Sequence, residues 1–129
     1  MNIFEGLDVG GPSYFRQGLQ VSGSLTGSGG FYLPYSAQTG AYTVTENDYV
    51  IAATSGTFTI TLPTAAGIAG RMYVFKNNGT GSVTVDPAGA ETIDGYTTAI
   101  LKPGHSCITI QSNGTNWIAI GVISPVQMT

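Results

Sequence analysis

Apolar and hydroxyl-bearing residues alternate strictly through Thr57-Phe-Thr-Ile-Thr-Leu-Pro63, with Phe58, Ile60 and Leu62 in one phase and threonines in the other. A period of two sends successive side chains to opposite faces of an extended backbone, so this run predicts a half-buried strand that Pro63 terminates. Comparable runs recur at 42–46, 49–53, 72–77, 82–86, 97–101, 106–111 and 117–122. The segments between them carry turn chemistry: Asn78-Gly79 followed by Gly81, Asn113-Gly114, Asp86-Pro87, Asp94-Gly95 and Lys102-Pro-Gly104. Asn and Gly tolerate positive φ, so both Asn-Gly pairs suit hairpins. The 64–70 gap has room for a single helical turn at most. About eight short strands separated by frequent turns predict an all-β fold, a small antiparallel β-sandwich or barrel occupying residues 41–129.

Residues 1–40 follow another pattern. They hold nine of the chain's 19 glycines, too many for a continuous helix, since each interior glycine costs up to ~1 kcal/mol relative to alanine. Aromatics are interleaved at Phe4, Tyr14, Phe15, Phe31, Tyr32 and Tyr35. Alternation appears in Leu19-Gln-Val-Ser-Gly-Ser-Leu25, and Thr26-Gly-Ser-Gly-Gly30 has the composition of a flexible hinge. The segment therefore reads as an extended Gly-rich N-terminal arm whose aromatics serve as candidate partner-binding anchors, or else as a first strand and a loose loop of the same domain.

Composition narrows the partners. Charged residues make up 9% of the chain, against roughly 25% in an ordinary soluble domain, while the apolar share is 42%. So little charge predicts that partner subunits cover much of the surface, the alternative being a robust monomer with a hydroxyl-rich skin. The net charge of −3, with four scattered basic residues, provides no nucleic-acid footprint. No apolar run approaches the ~20 residues of a membrane helix, and Met1-Asn-Ile-Phe-Glu5 lacks the basic-then-apolar pattern of a secretory leader. The lone Cys107 excludes an intrachain disulfide and fits synthesis in a reducing cytoplasm.

Candidate chemistry is sparse. His105 could join Ser106 or Ser112 and Asp94 in a triad, but no Gly-x-Ser-x-Gly elbow is present, and a turn histidine is the plainer reading. One histidine and one cysteine make no metal ligand set, and Asp86, Glu91 and Asp94 miss the spacing of a calcium loop. The sequons Asn78-Gly-Thr80 and Asn113-Gly-Thr115 read as turns. Tyr73, Tyr96 and Trp117 would form a sugar-stacking platform if exposed. Alternation in 106–122 places Cys107 and Trp117 opposite Ile108, Ile110, Ile118 and Ile120, which makes both faces apolar and nominates Cys107 and Trp117 for a subunit interface. The expectation is a non-enzyme with no cofactor and no metal.

The ordered set Thr59-Ile-Thr-Leu-Pro63, Gly70-Arg-Met-Tyr-Val-Phe-Lys-Asn77, Val83-Thr-Val-Asp-Pro87, Thr92-Ile-Asp-Gly95 and Ser112-Asn-Gly-Thr-Asn-Trp117 resembles a module recurrent in tailed-bacteriophage virion proteins. It is similar to the small β-domains of tail fibres, head fibres and capsid decoration proteins, and the resemblance covers roughly residues 43–121. It implies a domain that trimerises and binds capsid, tail or host glycan, and it carries no active site over. A forty-residue arm before a single knob favours a homotrimeric decoration or cement protein on the virion surface, partnered by the major capsid protein or another virion protein. The alternative is a tail-fibre or head-fibre module that recognises host surface glycan.

Overall fold

The computed structural model describes residues 10–11 and 18–129. The chain divides into two units, Met1–Phe31 and Tyr32–Thr129. All ten strands lie in the second: β1 (Tyr35–Gln38), β2 (Tyr42–Thr43), β3 (Val50–Ala53), β4 (Phe58–Thr61), β5 (Met72–Asn77), β6 (Val83–Asp86), β7 (Ala99–Leu101), β8 (Cys107–Ser112), β9 (Trp117–Ile123) and β10 (Val126–Met128). They form two five-stranded sheets, ordered β1-β3-β5-β8-β9 and β10-β7-β6-β4-β2. No helix occurs among the described residues.

The all-β expectation holds, and of sandwich and barrel the two-sheet form is the one consistent with the structure, but the sheets are mixed rather than antiparallel. From β1 to β6 the chain passes from one sheet to the other at every strand. Thus β1, β3 and β5 pair in parallel in the first sheet, and β2, β4 and β6 in the second. Each strand in one sheet is the crossover connecting two parallel neighbours in the other, so three coils stack without helices. From β7 onward the winding stops: β7 adds antiparallel to β6, β8 to β5, β9 to β8 and β10 to β7.

The coils touch at their corners, and this explains one glycine cluster. Asn78-Gly79 does not close a hairpin, because β5 and β6 belong to different sheets. A Cβ on Gly81 would lie 2.2 Å from the Gly56 carbonyl oxygen and 2.4 Å from Thr57 Oγ1, and one on Gly79 would lie 3.0 Å from Ser55 Cα. These glycines admit the backbone of the preceding coil. Asn113-Gly114 does close a hairpin, with φ +97° at Gly114.

Between the sheets lies one apolar core containing Ile51, Ile60, Leu62, Tyr73, Phe75, Val83, Val85, Ile93, Leu101, Ile108, Ile110 and Trp117. The Phe58–Leu62 alternation behaves as expected, with Ile60 and Leu62 buried and Thr59 and Thr61 exposed. A buried polar pin crosses the core: Asn77 Nδ2, at the end of β5, donates to Leu101 O on β7 at 2.9 Å and to Gly81 O at 2.8 Å, while its Oδ1 accepts from Gly79 N at 3.0 Å. Every hydrogen-bonding position of that amide except one acceptor lone pair is used.

Candidate interaction surface

Strand register defines the outward face of the first sheet, because residues directly opposite one another share a face. One row runs Tyr35, Val50, Val74, Thr109, Gly121, and the next runs Ala37, Ala52, Lys76, Cys107, Ile123. A third holds Met72, Gln111 and Ile118. A single charged residue, Lys76, stands in these rows, and its Nζ donates to the His105 carbonyl oxygen at 2.6 Å. Towards β9 the face opens to solvent: Ile123 is 57% exposed, and Ile120, the unpaired residue at a register irregularity, is 53% exposed. Tyr35 at the other edge is also exposed. The result is a mixed face that is poor in charge, with its exposed apolar residues at the two edges, and exposed apolar patches mark interaction sites.

Of the two nominated interface residues, one lies on this face. Cys107 is half-buried in the outward row, where burial raises its thiol pKa against the opposing influence of Lys76. Trp117 is a correction. It is fully buried in the core of its own chain, its ring 5.7 Å from that of Tyr73, and has no surface to offer a partner. The hairpin sets Trp117 opposite Ser112 and Ile118 opposite Gln111, so Trp117 shares the inward face with Ile108 and Ile110 while Ile118 turns outward. The phase across the four-residue turn, invisible in a period-two reading, splits the isoleucines between the faces.

The aromatic anchors are placed in part. Phe31, Tyr32 and Tyr35 are exposed, Tyr32 almost completely. Phe4, Tyr14 and Phe15 lie outside the described residues. Tyr35, read from sequence as part of the arm, is the first residue of edge strand β1.

The chemical candidates engage separate partners. His105 occupies a turn at φ +64°, with Nδ1 3.1 Å from Asn78 Oδ1. The Ser106 hydroxyl donates to Lys102 O and that of Ser112 to Ala65 O, while an Asp94 carboxylate oxygen accepts from Ala119 N. Glu91 receives the Thr64 hydroxyl and the Ala65 amide. These groups tie loops to strands. No cluster of three His, Cys, Asp or Glu suited to a metal occurs among the described residues. Of the three residues in the sugar-platform pattern, Tyr73 and Trp117 are buried and Tyr96 is exposed.

One depression, of about 200 Å³, is lined by Glu46, Pro63, Thr64, Ala66, Ile68, Arg71 and Tyr73. It is smaller than the ~300–1,000 Å³ of ordinary ligand sites. Arg71 within it is committed to structure: its guanidinium donates to the carbonyl oxygens of Glu46 and Asp48 and sits 4.5 Å over the Tyr73 ring. Asp48, buried beneath, accepts the Tyr42 hydroxyl at 2.7 Å and the Thr45 amide at 2.8 Å. The outward face of the first sheet, rather than this depression, is the feature left without a structural explanation. The chain matches no protein-family model and shows significant similarity to no curated protein.

Proposed function

We propose that this protein is a structural component of a bacteriophage virion, a decoration or cement protein that self-associates as a homotrimer, docks on the capsid surface and stabilises it. The observation that carries this reading is the outward face of the first sheet, where Val50, Met72, Val74, Cys107, Ile118 and Ile123 share a face with a single charged residue, Lys76. A sheet with one face on its own core and the other apolar is stable in water when a partner covers the second face. The low charge of the whole chain supports the same reading, as does the resemblance of its motifs to virion β-modules. Phe31, Tyr32 and Tyr35, within residues 1–40, are exposed aromatics of the type that anchors interfaces. Avidity from several arms then makes attachment strong even when each arm binds weakly.

The test is to add the purified full-length chain, and a variant lacking residues 1–30, to particles that lack the protein. Co-sedimentation of the full-length chain at a saturable stoichiometry, with lower occupancy for the truncated one, supports docking through the arm. Equal occupancy of both transfers the docking surface to the β-domain. Failure of either to bind any part of the particle refutes the reading, and binding confined to tails favours the fibre alternative.

A further inference from the structure

Two unpaired features of the chain match each other. Residues 19–25, Leu-Gln-Val-Ser-Gly-Ser-Leu, carry the period-two pattern of a strand yet belong to none of the ten strands. Their in-phase side chains Leu19, Val21 and Leu25 are 54%, 42% and 60% exposed. The second feature is the free edge of β9. Its first residues are covered, since Trp117 N donates to Thr92 O, Trp117 O accepts from Asp94 N, and Ala119 N donates to the Asp94 carboxylate. Residues 120–123 follow, exposed throughout, with β8 as their sole strand neighbour among the described residues. Exposed edges are normally blunted by charge, by proline or by cover. Ile-Gly-Val-Ile at 120–123 contains neither charge nor proline. The other edges are treated differently: β1 has four residues behind Pro34, β2 has two and β10 three.

We propose that residues 19–25 of one copy add as a strand to the 120–123 edge of a second copy. This deepens the self-association in the proposed function and rests on it. Neither segment carries a charge, so pairing buries no ion, and main-chain hydrogen bonds supply affinity as in other strand additions. Leu19, Val21 and Leu25 extend one apolar face, while Gln20, Ser22 and Ser24 fall on the other. Donor and acceptor are different surfaces, so the contact is head-to-tail and closes into a ring when the rotation permits. A ring of three is the homotrimer.

The test uses the full-length chain and light scattering at micromolar concentration. Val21→Pro removes a ladder donor from the added strand, and Val122→Lys places a charge at the receiving edge. Circular dichroism and Trp117 fluorescence establish that both variants keep the fold. The native chain is expected to be an oligomer and each variant a monomer. Mixed in equal amounts, the variants are expected to form a 1:1 dimer and nothing larger, because one retains the edge and the other the strand. If both variants keep the native mass, strand addition is wrong while self-association stands. A monomeric Val122→Lys beside a native-mass Val21→Pro means that the edge pairs with something other than residues 19–25, and the proposal fails. It also fails if the mixture stays monomeric. A monomeric native chain refutes both this inference and the self-association beneath it.

Discussion

Replacing Asn77 by alanine tests whether the polar pin across the core holds the two sheets in register. The side chain is fully buried and makes three hydrogen bonds: to Leu101 O, to Gly81 O and from Gly79 N. Alanine leaves the Leu101 carbonyl without this donor in the core, at about 2 kcal/mol, and frees two partners in a half-buried corner that water reaches, at about 1 kcal/mol each. The expected loss is therefore about 4 kcal/mol, a large part of the 5–15 kcal/mol typical of a domain. The assay is urea unfolding at fixed protein concentration, followed by fluorescence of Trp117, the chain's one tryptophan and a fully buried reporter. An unchanged m value would show that the native fold persists and that the change in midpoint is a change in stability. Asn77→Asp sharpens the test, since a carboxylate there faces two carbonyl oxygens. Its folded pKa is forced upward, so its stability should fall as pH rises through the carboxylate range, and acidification should partly restore it. A loss below about 1 kcal/mol for Asn77→Ala would refute the pin, because even one orphaned buried carbonyl costs more.

Other perturbations test separate parts of the fold. Gly81→Ala should destabilise by about 1–3 kcal/mol in the same urea assay, since its Cβ meets the Gly56 carbonyl oxygen and the backbone must shift. A neutral effect would mean that the coils do not stack at this corner. Ile110→Ala should cost about 2–5 kcal/mol as an emptied core site, whereas His105→Ala, in an exposed turn, should cost under ~1 kcal/mol. A function lost in a folded His105→Ala would reopen a catalytic reading. Alkali should unfold the protein. The hydrogen bond to Asp48 raises the Tyr42 phenol, burial raises those of Tyr73 and the Cys107 thiol, and the folded state therefore holds these protons more tightly than the unfolded chain. That contribution is complete below the ordinary values, about 8.5 for the thiol and about 10 for the phenols, and is lost as pH rises through the raised values. The thermal midpoint should fall above about pH 10, and Tyr42→Phe, weaker than the native chain at neutral pH, should close the gap there.

The sequence made faces legible and left partners hidden. Strand β5 falls where the alternation of Met72-Tyr-Val-Phe-Lys-Asn77 puts it, and Asn113-Gly114 forms the expected hairpin. Period two reports which side chains share a face and says nothing of which strand lies alongside, so the parallel coiling of β1–β6 could not be read from it. β1 escaped notice because Tyr-Ser-Ala-Gln is poor in branched residues, and β10 because three residues after Pro125 carry too little pattern. Gly79 and Gly81 looked like turn formers needing positive φ, yet neither is among the positive-φ glycines, and close approach of another coil is what requires them. Trp117 was sent to the wrong face because the turn sets it opposite Ser112, and a period-two reading cannot carry the phase across a turn. The outward position of Cys107, by contrast, was legible, because it alternates with the buried Ile108 and Ile110 along β8.

The most direct measurement for the account as a whole is a cryo-electron microscopy map of the particles made in the host that carries this chain. The account predicts density for a two-sheet β-domain in threefold clusters on the outer capsid surface, with the β9 edge of each copy turned towards a neighbouring copy. Capsids free of such density, in particles from which the protein is absent, would contradict it.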